Sequence, residues 1–154
     1  MKDIKQILKE VKDKWGIETV QAIIRKMASY PIRDRGTLSR SITYAQDDVE
    51  DDIEFFMADY GKFIDEGVGI FGPKKTRIPK ESIPGMAYHL KGWASSKNVN
   101  PWAVATNIQK RGGIKARPFF KSVIESRVPQ LGEMVTQAYN QYLESKIKNI
   151  EKGE

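Results

Sequence analysis

Two apolar stripes share the first thirty residues, and they point in different directions. Ile4, Ile7, Leu8, Val11 and Trp15 recur at steps of three and four, one face of a helix with a 3.6-residue period. After Gly16 the apolar positions are Val20, Ile23, Ile24 and Met27. At about 100° per residue this second group faces nearly the opposite side from the first. Two readings follow. Either Gly16 breaks the segment into two helices, since glycine costs roughly 1 kcal/mol inside a helix. Or one long helix over residues 1–30 buries one face in its own core and the other against a neighbour, which implies an oligomer.

Pro31 ends the segment, because the residue before a proline is driven out of the α region. "RDRG" then reads as a turn punctuated by Asp34 and Gly36. "LSRSITYA" alternates as a half-buried strand does, "QDDVEDD" (46–52) is a loop tip, and "IEFFMA" (53–58) is a second strand. Residues 38–58 are therefore expected to form a β-hairpin. "DYGKFIDEGVG" (59–69) reads as a short helix, with Tyr60, Phe63 and Ile64 on one face and Gly67 ending it. Residues 68–86, dense in proline and glycine, predict a long loop, of a length usually functional or disordered.

"AYHLKGWASS" predicts helix. "NPWAVATNIQKRGG" predicts another, with Asn100 as N-cap, Pro101 in the first position and Gly112 and Gly113 past the end. From "ARPFFKSVIE" onward Phe120, Ile124, Leu131, Val135, Ala138 and Tyr142 fall on one stripe, so 118–148 is expected to be mostly helix. Pro129 predicts a kink or a short restart there. The order of elements gives an α+β fold in a single domain, residues 1–154: a long N-terminal helix, a small antiparallel β-sheet and a C-terminal helix packed on the sheet. At 154 residues such a domain buries about two thirds of its unfolded surface.

Little in the chain points to catalysis. The single histidine, His89, has no second ligand near it in sequence and reads as structural. No phosphate-binding glycine loop, nucleophile elbow or zinc spacing occurs. Asp47, Asp48, Glu50, Asp51 and Asp52 crowd one hairpin tip, where a solvated loop explains them better than a two-metal site. Asp65 and Glu66 resemble an acid pair but are adjacent on a helix and diverge. The expectation is a protein that is not an enzyme and uses no metal or cofactor. The absence of cysteine excludes disulfides and thiolate metal sites, which fits a reducing compartment. No run approaches the roughly 18 apolar residues of a membrane span. "MKDIKQILKEVKDK" is charged throughout and predicts no signal peptide.

The net charge of +6, from 26 basic and 20 acidic residues, favours polyanions only mildly. The basic residues gather at Arg33, Arg35 and Arg40, at Lys74, Lys75, Arg77 and Lys80, and at Lys110, Arg111, Lys115, Arg117 and Lys121. As nucleic-acid contacts they would read phosphates, not bases. In the middle cluster phosphate contact and plain solvation weigh equally; in the other two a solvated surface is the better account.

Three stretches taken together resemble a known family. "YPIRDRGTLSRSI" (30–42), "YGKFIDEGVG" (60–69) and "IQKRGGIKARPFFKSVIE" (108–125) are similar, in this order, to segments of the phage tail-component family, which includes tail-completion and neck (head–tail connector) proteins of tailed bacteriophages. The chain departs from the family pattern at Arg35 and Gly61, and 68–107 is longer than in a compact member. The resemblance implies a structural virion protein, assembled in the host cytoplasm. It would form a homo-oligomeric ring, hexamer or dodecamer, around the DNA channel, beside portal, connector or tail proteins. It also assigns roles. Pro31, Gly36, Leu38 and Ile42 would set a helix-to-strand joint, Tyr60, Phe63 and Ile64 would seat the short helix, and Pro118, Phe119 and Phe120 would anchor the last helix. The alternative is a non-sequence-specific nucleic-acid-binding accessory protein using Lys74, Lys75, Arg77 and Lys80.

Overall fold

The computed structural model describes residues 2–30, 36–47 and 51–153. Pro31, Arg33, Arg35, Asp48 and Glu50, and the turn at Asp34, lie outside the described residues. The fold is mixed α+β, as expected. Helix α1 (Ile4–Ala28) is followed by a short helical turn α2 (Thr37–Ser41) and by strands β1 (Thr43–Gln46) and β2 (Ile53–Phe56). Helix α3 (Tyr60–Glu66), strand β3 (Val68–Gly69), a 3-10 turn (Lys80–Ser82), helices α4 (Ile83–Lys97) and α5 (Pro101–Lys110), strand β4 (Gly113–Ile114) and helix α6 (Lys121–Glu151) complete it.

Gly16 does not break α1. The helix runs through it as one rod, and glycine is there because a ring lies on it: a Cβ at this position would sit 2.6 Å from Tyr44 Cδ2. The β1–β2 hairpin therefore crosses α1 at its midpoint. It is held there by Asp13, whose Oδ1 accepts from Tyr44 Oη (3.2 Å) and from Gln46 Nε2 (2.6 Å). Gln46 Nε2 also donates to Lys9 O, and Lys12 pairs with Asp51 at the hairpin tip.

The strand expected from Leu38 begins only at Thr43. Residues 37–41 coil instead, because Gly36 takes the left-handed φ of +79° and Ser39 and Ser41 donate back to the carbonyls of Gly36 and Leu38. Leu38 and Ile42 end up buried on the same side, which a spacing of four allows in either conformation. The hairpin register pairs Thr43 with Phe56 and Gln46 with Ile53. The long loop is also shorter than expected. Its second half folds into the 3-10 turn and α4, where Pro84 sits in the first helical turn and its missing N–H costs nothing.

A second two-stranded ladder, not foreseen, pairs Val68 with Ile114 and Gly69 with Gly113. It needs both glycines: a Cβ on Gly113 would lie 1.8 Å from Val68 O. Helix α5 has the predicted cap, with Asn100 Oδ1 accepting from Trp102 N at 2.9 Å. The core gathers Ile23 and Met27 of α1 with Leu38, Ile42, Tyr60, Ile78, Met86, Leu90, Ala105 and Phe119.

Helix α6 runs unbroken through Pro129, and its main partner is α1 instead of the expected sheet. Near its start, Phe120 and Ile124 share a groove with Phe55, Phe56 and Met57 of the hairpin. Trp15 Nε1 donates to Arg127 O (2.9 Å), Arg127 Nε donates to the buried Thr19 Oγ1 (2.9 Å), and Tyr30 Oη donates to Pro118 O (3.3 Å). As the α6 number rises the α1 number falls, so the two helices are antiparallel. No helix among the described residues is long and apolar enough to cross a membrane.

Candidate functional site

Residues of the segments 36–42, 60–69 and 108–125 converge on one core. Leu38, fully buried, lies against Gly61 at the start of α3, where a Cβ would come within 2.8 Å of Leu38 Cδ1. Tyr60 is buried, while Phe63 and Ile64 are half-buried at the rim of the core. Phe119 is fully buried and Phe120 half-buried beside it, their rings edge-on at 6.4 Å. Pro118 is exposed, and its contribution is the carbonyl that Tyr30 bonds.

The link between the second and third segments is a residue the sequence did not single out for this purpose. Asp65, only 6% exposed, accepts at Oδ1 from the backbone N–H groups of Phe119 and Phe120, both at 2.9 Å, and at Oδ2 from Lys121 N at 3.3 Å. The first N–H groups of any helix lack partners within it. Here a carboxylate from a distant helix supplies them, and its negative charge also suits the positive end of the α6 dipole. Arg117 N donates to Ile64 O at 2.8 Å and completes the clasp. One signal was in the sequence: no Ser, Thr, Asp or Asn precedes Lys121 within the "RPFF" run, so the cap had to come from elsewhere. Asp65 is held in this clasp, and both it and its neighbour Glu66 reach the groove beside β2.

Lys74, Lys75, Arg77 and Lys80 are all exposed. The loop that carries them is pinned by Ile78, 7% exposed, whose carbonyl accepts from Gln109 Nε2. Lys74 and Arg77 line a groove of about 790 Å³ with Lys62, but Glu66 and Glu81 line it too. Three cations against two carboxylates leave a surplus of one charge, a thin basis for gripping a polyanion. His89 is exposed, edge-on to Phe63 and Tyr88, with Nδ1 3.7 Å from Asp59 Oδ2. Among the described residues no three His, Asp or Glu side chains gather as a metal site would require.

Among the described residues, two uncovered apolar surfaces stand out. One is a groove of about 740 Å³ between β2, α3 and the base of α6, lined by Phe55, Phe56, Met57, Phe63, Phe120 and Ile124. The other is the outer face of α6. None of the 31 residues of this helix is buried, and Val128, Tyr139, Leu143, Ile147 and Ile150 are among the exposed large apolar side chains of the molecule. No family model, curated protein or solved structure matches the chain.

Proposed function

We propose that this chain is a non-enzymatic structural subunit of a tailed bacteriophage, a neck, head–tail connector or tail-completion protein that assembles into a ring around the DNA channel. The observation that carries the proposal is the apolar surface a single copy leaves in water. A helix of 31 residues with no buried side chain is a poor element for a solitary domain, and contiguous apolar faces of this kind mark association sites. The groove at Phe56 and the outer face of α6 are separate surfaces, so one copy can contact two neighbours at once, as closure into a ring requires. The three segments that resemble the phage family support the same reading, because they are joined through Leu38, Gly61, Asp65 and Phe119 in one core.

The test is the mass and rotational symmetry of the purified assembly, by native mass spectrometry and electron microscopy, alone and with portal or tail partners. A discrete ring supports the proposal. A strict monomer at high concentration in both conditions refutes it.

A second reading, a nucleic-acid-binding accessory protein, draws on the exposure of Lys74, Lys75, Arg77 and Lys80 on one pinned loop. It requires DNA affinity that falls steeply with salt. No retardation of duplex or single-stranded DNA at low salt would end it.

A further inference from the structure

The apolar residues on the outer part of α6 are arranged symmetrically about one position. Counting outward from Tyr139, apolar side chains fall four, eight and eleven residues away on both sides: Val135 and Leu143, Leu131 and Ile147, Val128 and Ile150. Leu131 and Val135 are half-buried, while Val128 (52%), Tyr139 (48%), Leu143 (44%), Ile147 (55%) and Ile150 (74%) stand exposed. From Val128 to Ile150 the stripe runs about 33 Å along the helix at 1.5 Å per residue.

A palindromic stripe is what a two-fold axis requires of a helix that meets its own copy, because an isologous contact sets residue i against j and j against i. We infer that α6 pairs antiparallel with α6 of a second copy, with the two-fold axis passing beside Tyr139. Val128 then meets Ile150 of the second copy, Val135 meets its Leu143, and the two Tyr139 rings meet each other. Leu131 and Ile147 lie at the same level on opposite edges of the seam.

The polar residues choose between the two directions a helix pair can take. In the antiparallel arrangement Lys146 lies opposite Gly132, where a Cβ would find nothing within 4 Å and a long aliphatic stem can cross. In a parallel arrangement Lys146 would face Lys146 and the gap at Gly132 would face its own image. Like charges at the same level repel and an unfilled gap forfeits contact. The antiparallel direction is the one the side chains fit.

This pairing rests on the self-associating reading above and adds to it. A two-fold contact closes at two copies. The ring must then be closed by another contact, for which the Phe56 groove is free, and pairs are its building unit, so its subunit number is even.

The absence of cysteine makes the test direct. Single variants Tyr139→Cys, Val128→Cys and Ile150→Cys are treated with a short bis-maleimide, alone and mixed, and native mass is recorded for the unmodified chain. All three positions are exposed, so the fold is retained, which circular dichroism verifies. The expected result is a crosslinked dimer for Tyr139→Cys alone, and for Val128→Cys mixed with Ile150→Cys, with neither of the latter crosslinking by itself. Self-crosslinking of Val128→Cys overturns the inference in favour of a parallel pair. No crosslink in any sample, with the unmodified chain still assembling, overturns it and leaves the ring reading standing. The expected crosslinks with no species above two copies uphold the pair and remove the ring.

Discussion

The two ends of the α1–α6 helix pair are built differently. At the closed end, Ile23 and Met27 of α1 and Phe119 beside the start of α6 lie in the core, and polar contacts tie the helices together: Tyr30 to Pro118, Thr19 to Arg127, Trp15 to Arg127. At the open end, Ile4, Ile7 and Leu8 are only half-buried and the facing length of α6 has no buried residue. One end is sealed by the chain itself. The other leaves apolar side chains in water. The difference teaches that the two apolar stripes in the first thirty residues belong to two environments, and that much of the unfinished surface lies on the last helix.

The comparison is broken most severely by emptying the closed end. Phe119→Ala should destabilise the chain by roughly 3–5 kcal/mol, the usual cost of truncating a buried phenylalanine, read from the denaturant midpoint. Asp65→Ala strips the acceptor from three N–H groups at the start of α6 and should cost about 3 kcal/mol. If Asp65→Ala leaves stability unchanged, the clasp does not hold α6 in place. Gly16→Val, at the middle of the pair, forces the Tyr44 ring off α1 and should cost about 1–3 kcal/mol.

A smaller effect sharpens the picture at the same crossing. Burial, and then the Asp13 carboxylate that accepts its hydroxyl, push the Tyr44 phenol above its ordinary value of 10.0. The folded state thus prefers the neutral phenol more than the unfolded state does. That contribution is complete below the unfolded value and is lost as pH rises through the folded one. The stability difference between the native chain and Tyr44→Phe should stay constant up to about pH 9 and narrow above about pH 10. An unchanged difference across that range would contradict the Asp13 contact.

The smallest effect on stability belongs to the open end. Ile147→Ser should change the unfolding free energy by less than about 0.5 kcal/mol, as exposed positions do, yet weaken self-association in sedimentation velocity. A large loss of stability in a monomeric preparation would show that Ile147 is buried within one copy.

What the sequence disclosed follows the reach of local forces. The α5 cap at Asn100 and Pro101, the stop at Gly67 and the stripe of α6 were legible, because each is set by residues within a turn or two. The conformation at 37–41 was not. A spacing of four between Leu38 and Ile42 satisfies a strand and a helix equally, and serine back-bonds decided it. Gly16 was legible only as a choice, since the ring that requires a glycine there comes from Tyr44, across the hairpin. Asp65 was hidden for the same reason: its partners are more than fifty positions away. Leu38, Ile42, Tyr60 and Phe119 were visible as apolar punctuation and lie buried, while Pro118 is exposed and meets α1 through its carbonyl.

If sister copies cover the apolar surface that one copy leaves exposed, the native particle, weighed over a range of concentrations, is a discrete assembly with an even number of chains. A single-chain mass persisting to the highest concentration reached, with or without viral partners, would contradict it.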